Sequence, residues 1–236
     1  MESTNRVMVI TGTSKGIGRG MAEYYCAKGH TVFGCSRGPA TFEAETYHHH
    51  QLDIGDEKMV REWIRSIKKT AQRIDVLVCN AGVVESTLQM TVTPGNLVDL
   101  YLRTNFAGTY FVCREVAKVM LLQRAGRIIT ISSIMTRLHE PGTSLYSATK
   151  SAIVEMTKVL ARELAPLGIT CNVVAPSLIL TEAAKSFGEE WQKHMLEKQT
   201  LKREITVDEI CNVVSFFASP ESGCITGEVI HMGLVS

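Results

Sequence analysis

Tyr146 and Lys150 stand four residues apart in the run Tyr146-Ser147-Ala148-Thr149-Lys150. On a helix this spacing puts both side chains on one face, one turn apart. A free phenol titrates near pH ~10, too high for acid–base work at neutral pH. An ammonium about 4 Å away contributes roughly 4 kcal/mol at an effective dielectric of about 20. Each pKa unit is about 1.36 kcal/mol, so the lysine is expected to bring the phenol down by about two to three units. Desolvation takes part of that back. Ser133 closes an apolar run thirteen residues before Tyr146. A hydroxyl there is placed to bond a substrate carbonyl and stabilise the negative charge that develops on it. A Tyr-x-x-x-Lys pair alone is an ordinary surface feature, and its meaning depends on what accompanies it.

A second chemical feature lies near the start of the chain, in Thr11-Gly12-Thr13-Ser14-Lys15-Gly16-Ile17-Gly18. Glycines let the backbone turn sharply and approach a ligand closely. A helix opening there offers N–H groups and a partial positive charge to a pyrophosphate. The spacing Gly-x-x-x-Gly-x-Gly differs from the commoner dinucleotide fingerprint Gly-x-Gly-x-x-Gly. The next apolar run ends in Cys35-Ser36-Arg37. A site selective for NAD usually carries an acid there, to bond the ribose 2′-hydroxyl. Arginine replaces it here, and a 2′-phosphate is held by cations and repelled by a carboxylate. The pattern predicts NADP(H) in preference to NAD(H), with Lys15 and Arg37 as phosphate clamps.

The elements that must position these groups alternate from end to end. Short strands are expected at Val7 to Ile10, Thr31 to Cys35, Tyr47 to Leu52, Val76 to Cys79, Arg127 to Ser132, Ile169 to Val174 and Glu228 to His231. Helices are expected between them, from about Ile17 to Lys28, after Asp56, and after Thr93-Pro94 with Thr93 as cap. This last helix runs toward Gln123 with a bend near Gly108, and Thr206 with Glu209 forms a capping-box pattern before another. Such alternation predicts an α/β fold, a single Rossmann-type doubly wound domain over residues 1–236. About seven parallel strands would carry helices on both faces. Ligands bind such sheets at the carboxyl ends of the strands, where strand order reverses.

Composition agrees with ordinary globular usage and argues against a disordered chain. The 236 residues are 45% apolar and 21% charged, with 25 Lys plus Arg against 24 Asp plus Glu. A net charge of +1 advertises neither nucleic acid nor an anionic membrane surface. The sequence has no apolar run long enough to span a membrane and no secretory leader, so a cytoplasmic location is expected. Seven dispersed cysteines, odd in number and without Cys-x-x-Cys, read as reduced core thiols. His48-His49-His50 lies in a strand-like stretch where neighbours point to opposite faces, so the three cannot share one metal ion. No metal is expected.

Taken together and in order, these motifs resemble those of the short-chain dehydrogenase/reductase family in its compact single-domain branch. The likeness covers nearly the whole chain: Gly12, Gly16 and Gly18, then Asp53, Asn80-Ala81-Gly82, Asn105, Ser133, Tyr146 and Lys150, Pro176, and Ile225-Thr226-Gly227. The resemblance implies that Tyr146 protonates the carbonyl oxygen during reduction and that Ser133 holds that oxygen. Lys150 would lower the phenol and bond the nicotinamide ribose, and Asn105 would hold a water linking Lys150 to solvent. The coenzyme would meet Gly12, Ser14, Lys15, Gly16, Ile17 and Gly18 in the loop. Ser36 and Arg37 would lie at its 2′ end, Asp53 and Ile54 at its adenine, and Asn80, Ala81 and Gly82 along the sheet. Tyr146, Lys150, Pro176, Ile179 and Thr181 would lie toward the nicotinamide. The family usually has Pro-Gly after the sixth strand, and this chain has Pro176-Ser177.

The nearest subfamily likeness is to NADPH-linked ketoreductases of the β-ketoacyl-carrier-protein type. It implies reduction of a 3-oxoacyl or similar small carbonyl to a secondary alcohol, or the reverse oxidation, in a homotetramer or homodimer. Substrate would meet Ser133, Met135, Tyr146 and Leu178, with Ile134, Leu138, His139, Leu180, Phe187, Trp191 and Met195 as further candidates. Residues 178–203 would form a lid. If the substrate is carrier-bound, a basic patch at Arg124, Arg127 and Arg137 would receive the acidic carrier. Two alternatives compete: a catalytically silent NADP-binding sensor or structural protein, and a sugar-nucleotide epimerase or dehydratase. Retention of Ser133, Tyr146 and Lys150 together disfavours the first, and the short chain disfavours the second.

Overall fold

The computed structural model describes residues 5–85 and 87–235. Its strands are β1 (Val7–Thr11), β2 (Thr31–Ser36), β3 (Tyr47–Gln51), β4 (Val76–Cys79), β5 (Gly126–Ile131), β6 (Ile169–Ala175) and β7 (Val229–His231). They form one seven-stranded parallel sheet in the order β3-β2-β1-β4-β5-β6-β7. The chain moves outward from β1 in one direction, then returns to lay β4 on its other side. That reversal opens a crevice above the carboxyl ends of β1 and β4.

Helices cover both faces, as a buried parallel sheet requires. On one face lie α2 (Glu57–Ala71), α4 (Thr109–Gln123) and α6 (Ser144–Leu164). There Trp63, Ile64 and Ile67 of α2 and Val112, Val116 and Met120 of α4 pack with sheet residues such as Leu77 and Ile128. On the other face, α1 (Gly16–Ala27) and α9 (Val207–Ala218) bring Met21, Tyr25, Ile210, Val214 and Phe217 against Met8, Ile10 and Ile129. Each such side chain fully buried is worth roughly 1.5–3 kcal/mol, so the two layers fix the height and tilt of the strand ends. The remaining helices are α3 (Gly95–Tyr101), α5 (Met135–Leu138), α7 (Glu182–Lys185) and α8 (Glu189–Lys198).

The expected helix signals hold with two adjustments. Asp56 accepts from the Met59 N–H to open α2, and Thr206 with Glu209 makes a complete capping box on α9. Thr93 does not cap α3. Pro94 occupies that position without a side-chain bond, while the Thr93 hydroxyl donates back to the Gln89 carbonyl at 3.0 Å. The expected bend near Gly108 is a π-helical segment, Leu102–Gly108, between α3 and α4. Gly108 is needed there because a Cβ would meet Ile54 Cγ1 at 2.6 Å. Among the described residues no helix is long and apolar enough to cross a membrane.

Candidate active site

Residues that are far apart in sequence meet at the carboxyl edge of β5. Ser133 follows β5; its hydroxyl accepts from the Met135 N–H at 3.2 Å and shares the cleft wall with the Tyr146 phenol. Tyr146 and Lys150 lie in the first two turns of α6. Lys150 is only 4% exposed, and its Nζ donates to the Ile131 carbonyl at 2.9 Å. The Ser132 hydroxyl donates to the Lys150 carbonyl at 3.1 Å, tying β5 to α6. Tyr101 stands edge-on to Tyr146, with centroids 6.5 Å apart.

The electrostatics depart from the expectation drawn from spacing. Burial pushes the Tyr146 phenol up to about 12, opposed by the Ser133 hydroxyl. Burial lowers Lys150 to about 8, with nearby Cys79 acting the other way. The lysine therefore does not bring the phenol into the neutral range here. Its Nζ lies 5.8 Å from the phenol ring centroid and is directed to a backbone carbonyl, so desolvation of both groups outweighs their attraction.

Asn105 lies within the π-helical segment and is fully buried. Its Oδ1 accepts from the Val83 N–H at 2.7 Å, and its Nδ2 donates to the Val83 carbonyl at 3.0 Å and to Thr149 Oγ1 at 3.3 Å. A Cβ on Gly82 would stand 3.3 Å from Asn105 Oδ1 and 3.4 Å from Lys150 Nζ, so these three residues converge.

The glycine loop is shaped by close backbone contact. Gly12 and Gly16 have positive φ, and a Cβ on Gly18 would lie 2.2 Å from the Gly12 carbonyl oxygen. Asn80 supports the loop, its Nδ2 donating to the Thr11 carbonyl at 3.0 Å. Thr11 Oγ1 accepts from both the Asn80 and Ala81 N–H groups. Lys15 precedes α1 without capping it through its side chain. Asp53 accepts from Gly55 N–H at 2.9 Å and pairs with Arg103 at 3.2 Å.

A cleft of about 800 Å³ joins the two regions. Its walls fit a dinucleotide on three counts: the glycine cradle at one end, the Lys15 and Arg37 cations beside it, and the Ser177 hydroxyl further along. That hydroxyl is buried and has no hydrogen-bond partner among the described residues, a polar group left open for a ligand amide. Every residue expected to bind coenzyme lines this cleft except Gly18, which is spent on packing beneath the loop. Ser133, Met135 and Leu178 line it too, as do Ile134, Phe187, Trp191 and Met195.

Other expectations are corrected. Leu138, His139 and Leu180 do not line the cleft; Leu138 packs beside Met135, Leu178 and Met195 in a small apolar cluster. Arg124, Arg127 and Arg137 do not form one patch. Arg127 is the second residue of β5, with Arg124 just before that strand, whereas Arg137 follows its carboxyl end. The strand itself separates them. Thr143, Val84 and the Ile131 carbonyl also belong to the site. No sequence signal marks them, since a small or apolar side chain and a backbone oxygen become functional only by position.

A family model described as enoyl-(acyl carrier protein) reductase matches residues 12–233. The 3-oxoacyl-(acyl-carrier-protein) reductase of Vibrio harveyi is 32% identical over 98% of this chain and 97% of its own. ElxO, solved with NADP bound, superposes with a TM-score of 0.90 at 32% identity, covering 97% of each chain. The ligand-free aldohexose dehydrogenase of Thermoplasma acidophilum gives a TM-score of 0.88 at 28% identity, over 98% of this chain and 94% of its own. Fold, site and matches together define a Rossmann-type oxidoreductase acting between CH–OH and C=O groups. The chain belongs to the short-chain dehydrogenase/reductase family.

Proposed function

We propose that this protein is an NADPH-dependent ketoreductase that converts a 3-oxoacyl or similar small ketone to a secondary alcohol, and runs the reverse oxidation when driven. The observation that carries this reading is that Ser133, Tyr146 and buried Lys150 converge at the end of a cleft that begins in a glycine cradle. The NADP-bound state of ElxO and the 3-oxoacyl reductase relatives support it. When bound, the reduced nicotinamide supplies a hydride to the carbonyl carbon.

The residues of this chain do the rest. Ser133 orients the carbonyl oxygen and stabilises its developing charge. Tyr146 gives that oxygen its phenolic proton, and a phenol held high by burial is fully protonated and ready to donate. Lys150 stabilises the phenolate left behind and is the natural partner of a ribose hydroxyl. Asn105 is a positioning residue. Its bonds to Val83 and Thr149 hold the Gly82 segment over the lysine, where a water linking Lys150 to solvent would sit. Lys15 and Arg37 hold the 2′-phosphate.

Residues 178–203, with α7 and α8, close over the substrate end, where Met135, Leu178 and Met195 make an apolar wall. Assembly as a homotetramer or homodimer belongs to the same reading. Following NADPH absorbance with a panel of ketones, wild type beside Tyr146→Phe, tests the reading. Turnover in wild type only is expected. Coenzyme binding without turnover on any carbonyl would favour a silent NADP-binding protein instead.

A further inference from the structure

The histidine run is divided by its strand. In β3, His49 shares a face with Tyr47 and Gln51, while His48 and His50 take the other, where His48 stacks on Phe33. His49 faces the turn that carries Arg37. Its Nε2 lies 3.0 Å from the Gly38 carbonyl and 3.2 Å from Ser36 Oγ, and Ser36 Oγ itself donates to that carbonyl at 2.9 Å. On the other side of the ring, Nδ1 lies 2.8 Å from the Tyr47 hydroxyl. The Tyr47 hydroxyl donates to Thr13 Oγ1 at 2.7 Å, and Thr13 Oγ1 donates to the Cys35 carbonyl at 3.4 Å. Gly34 leaves room for this chain of bonds: a Cβ there would meet Thr13 Oγ1 at 2.5 Å and the Tyr47 hydroxyl at 2.6 Å. Gln51 adds a third support, its Nε2 donating to the Arg37 carbonyl at 2.9 Å.

Donors and acceptors can then be counted. The Gly38 carbonyl only accepts, so Nε2 must carry a proton. His49 therefore donates to the turn through Nε2, while Nδ1 meets the Tyr47 hydroxyl and, through it, Thr13 of the glycine loop. Among the described residues no carboxylate bonds this ring.

We propose that His49 is a specificity-determining residue for the phosphorylated coenzyme. It fixes the Ser36–Gly38 turn so that Arg37 is presented to the 2′-phosphate. The inference rests on the coenzyme reading above, and a role for His49 in holding the turn would show itself in phosphate recognition and not in hydride transfer.

The test measures dissociation constants for NADPH and NADH by fluorescence titration, on wild type and His49→Ala. In the variant NADPH binding is expected to weaken roughly tenfold, with NADH changed less than about twofold. Equal losses for the two coenzymes, or no loss for NADPH, would overturn the proposal. If His49→Ala binds neither coenzyme, His49→Gln, which can keep an N–H donor toward the Gly38 carbonyl, is titrated in its place and is expected to restore both, with NADPH the more weakened relative to wild type; equal losses there overturn the proposal. Wild type that binds NADPH with no NADPH-selective effect of His49 sinks this inference alone. Wild type that binds neither coenzyme sinks the functional reading and this inference with it.

Discussion

The buried Lys150 ammonium donates to the carbonyl of Ile131, the last residue of β5, at a distance of 2.9 Å. That contact anchors α6 to the strand whose end carries Ser133, and so sets the distance between the hydroxyl and the phenol. It also keeps a lysine in an environment that lowers it to about 8, burial being the cause.

Lys150 therefore costs stability at neutral pH. Its pKa is lower folded than unfolded, so the unfolded chain binds more protons between about 8 and the ordinary lysine value. Over that window stability rises with pH. The cost at neutral pH is about 3 kcal/mol, taken as the difference from the ordinary value at about 1.36 kcal/mol per unit. Lys150→Met is expected to melt higher than wild type near neutrality, with the gap closing toward about pH 10, and to lose turnover. Melting curves across pH check this. A variant that melts lower than wild type at every pH would show that the Ile131 bond outweighs the burial.

Removing the phenolic oxygen should separate chemistry from binding. Tyr146→Phe is expected to lower kcat by roughly 10²–10⁴ while leaving the NADPH dissociation constant within about threefold. Stopped-flow hydride transfer and fluorescence titration read the two quantities. Equal weakening of both would mean that Tyr146 serves the cleft's shape rather than the proton.

Arg37→Ala should weaken NADPH by roughly 10- to 100-fold and NADH by little, the usual range for losing charge-assisted bonds to a phosphate. Arg37 belongs to an exposed turn, so the fold should be unchanged and melting should not move. Parallel titration with both coenzymes checks the assignment, and equal losses would remove it.

Gly18→Ala tests the cradle from beneath. The added Cβ would stand 2.2 Å from the Gly12 carbonyl oxygen and 2.4 Å from Asn80 Nδ2, and backbone cannot yield cheaply. A loss of roughly 1–3 kcal/mol in stability is expected, together with loss of coenzyme binding as the loop is displaced. Denaturant unfolding and titration measure both. A variant that binds NADPH normally would show that the loop tolerates a wider turn.

Glu140 ties the loop after Ser133 to the proposed lid. Its carboxylate meets His194 at 2.9 Å and also pairs with Lys198, both from α8, and the Lys198 bond is the main cause holding the carboxyl below its usual range. The Lys198 ion pair is lost as pH falls and the carboxylate is protonated. Glu140→Gln should raise KM several-fold with kcat nearly unchanged, and should speed protease cutting within residues 178–203. Unaltered cutting would mean that packing of Met195 and Trp191 holds the segment unaided.

Strand positions, the glycine cradle and the order of Ser133, Tyr146 and Lys150 were all legible in the chain, because each depends on short-range rules. Short apolar runs make the buried central strands, glycine admits a turn that other residues cannot, and a four-residue spacing shares a helix face. Composition likewise pointed to a globular chain, and its apolar runs to no membrane span. Three matters were decided only when distant segments met. Whether Lys150 lowers Tyr146 depended on how deeply both are buried and on the Ile131 carbonyl, an atom that sequence does not distinguish from any other. Whether three arginines made a patch depended on which end of β5 each occupies. Whether His49 had a role depended on β2 and the glycine loop bringing Ser36, Gly38 and, through Tyr47, Thr13 around its ring. Desolvation, charge separation and hydrogen-bond counting are properties of surroundings, and the surroundings of a residue are assembled by the fold rather than by its neighbours along the chain.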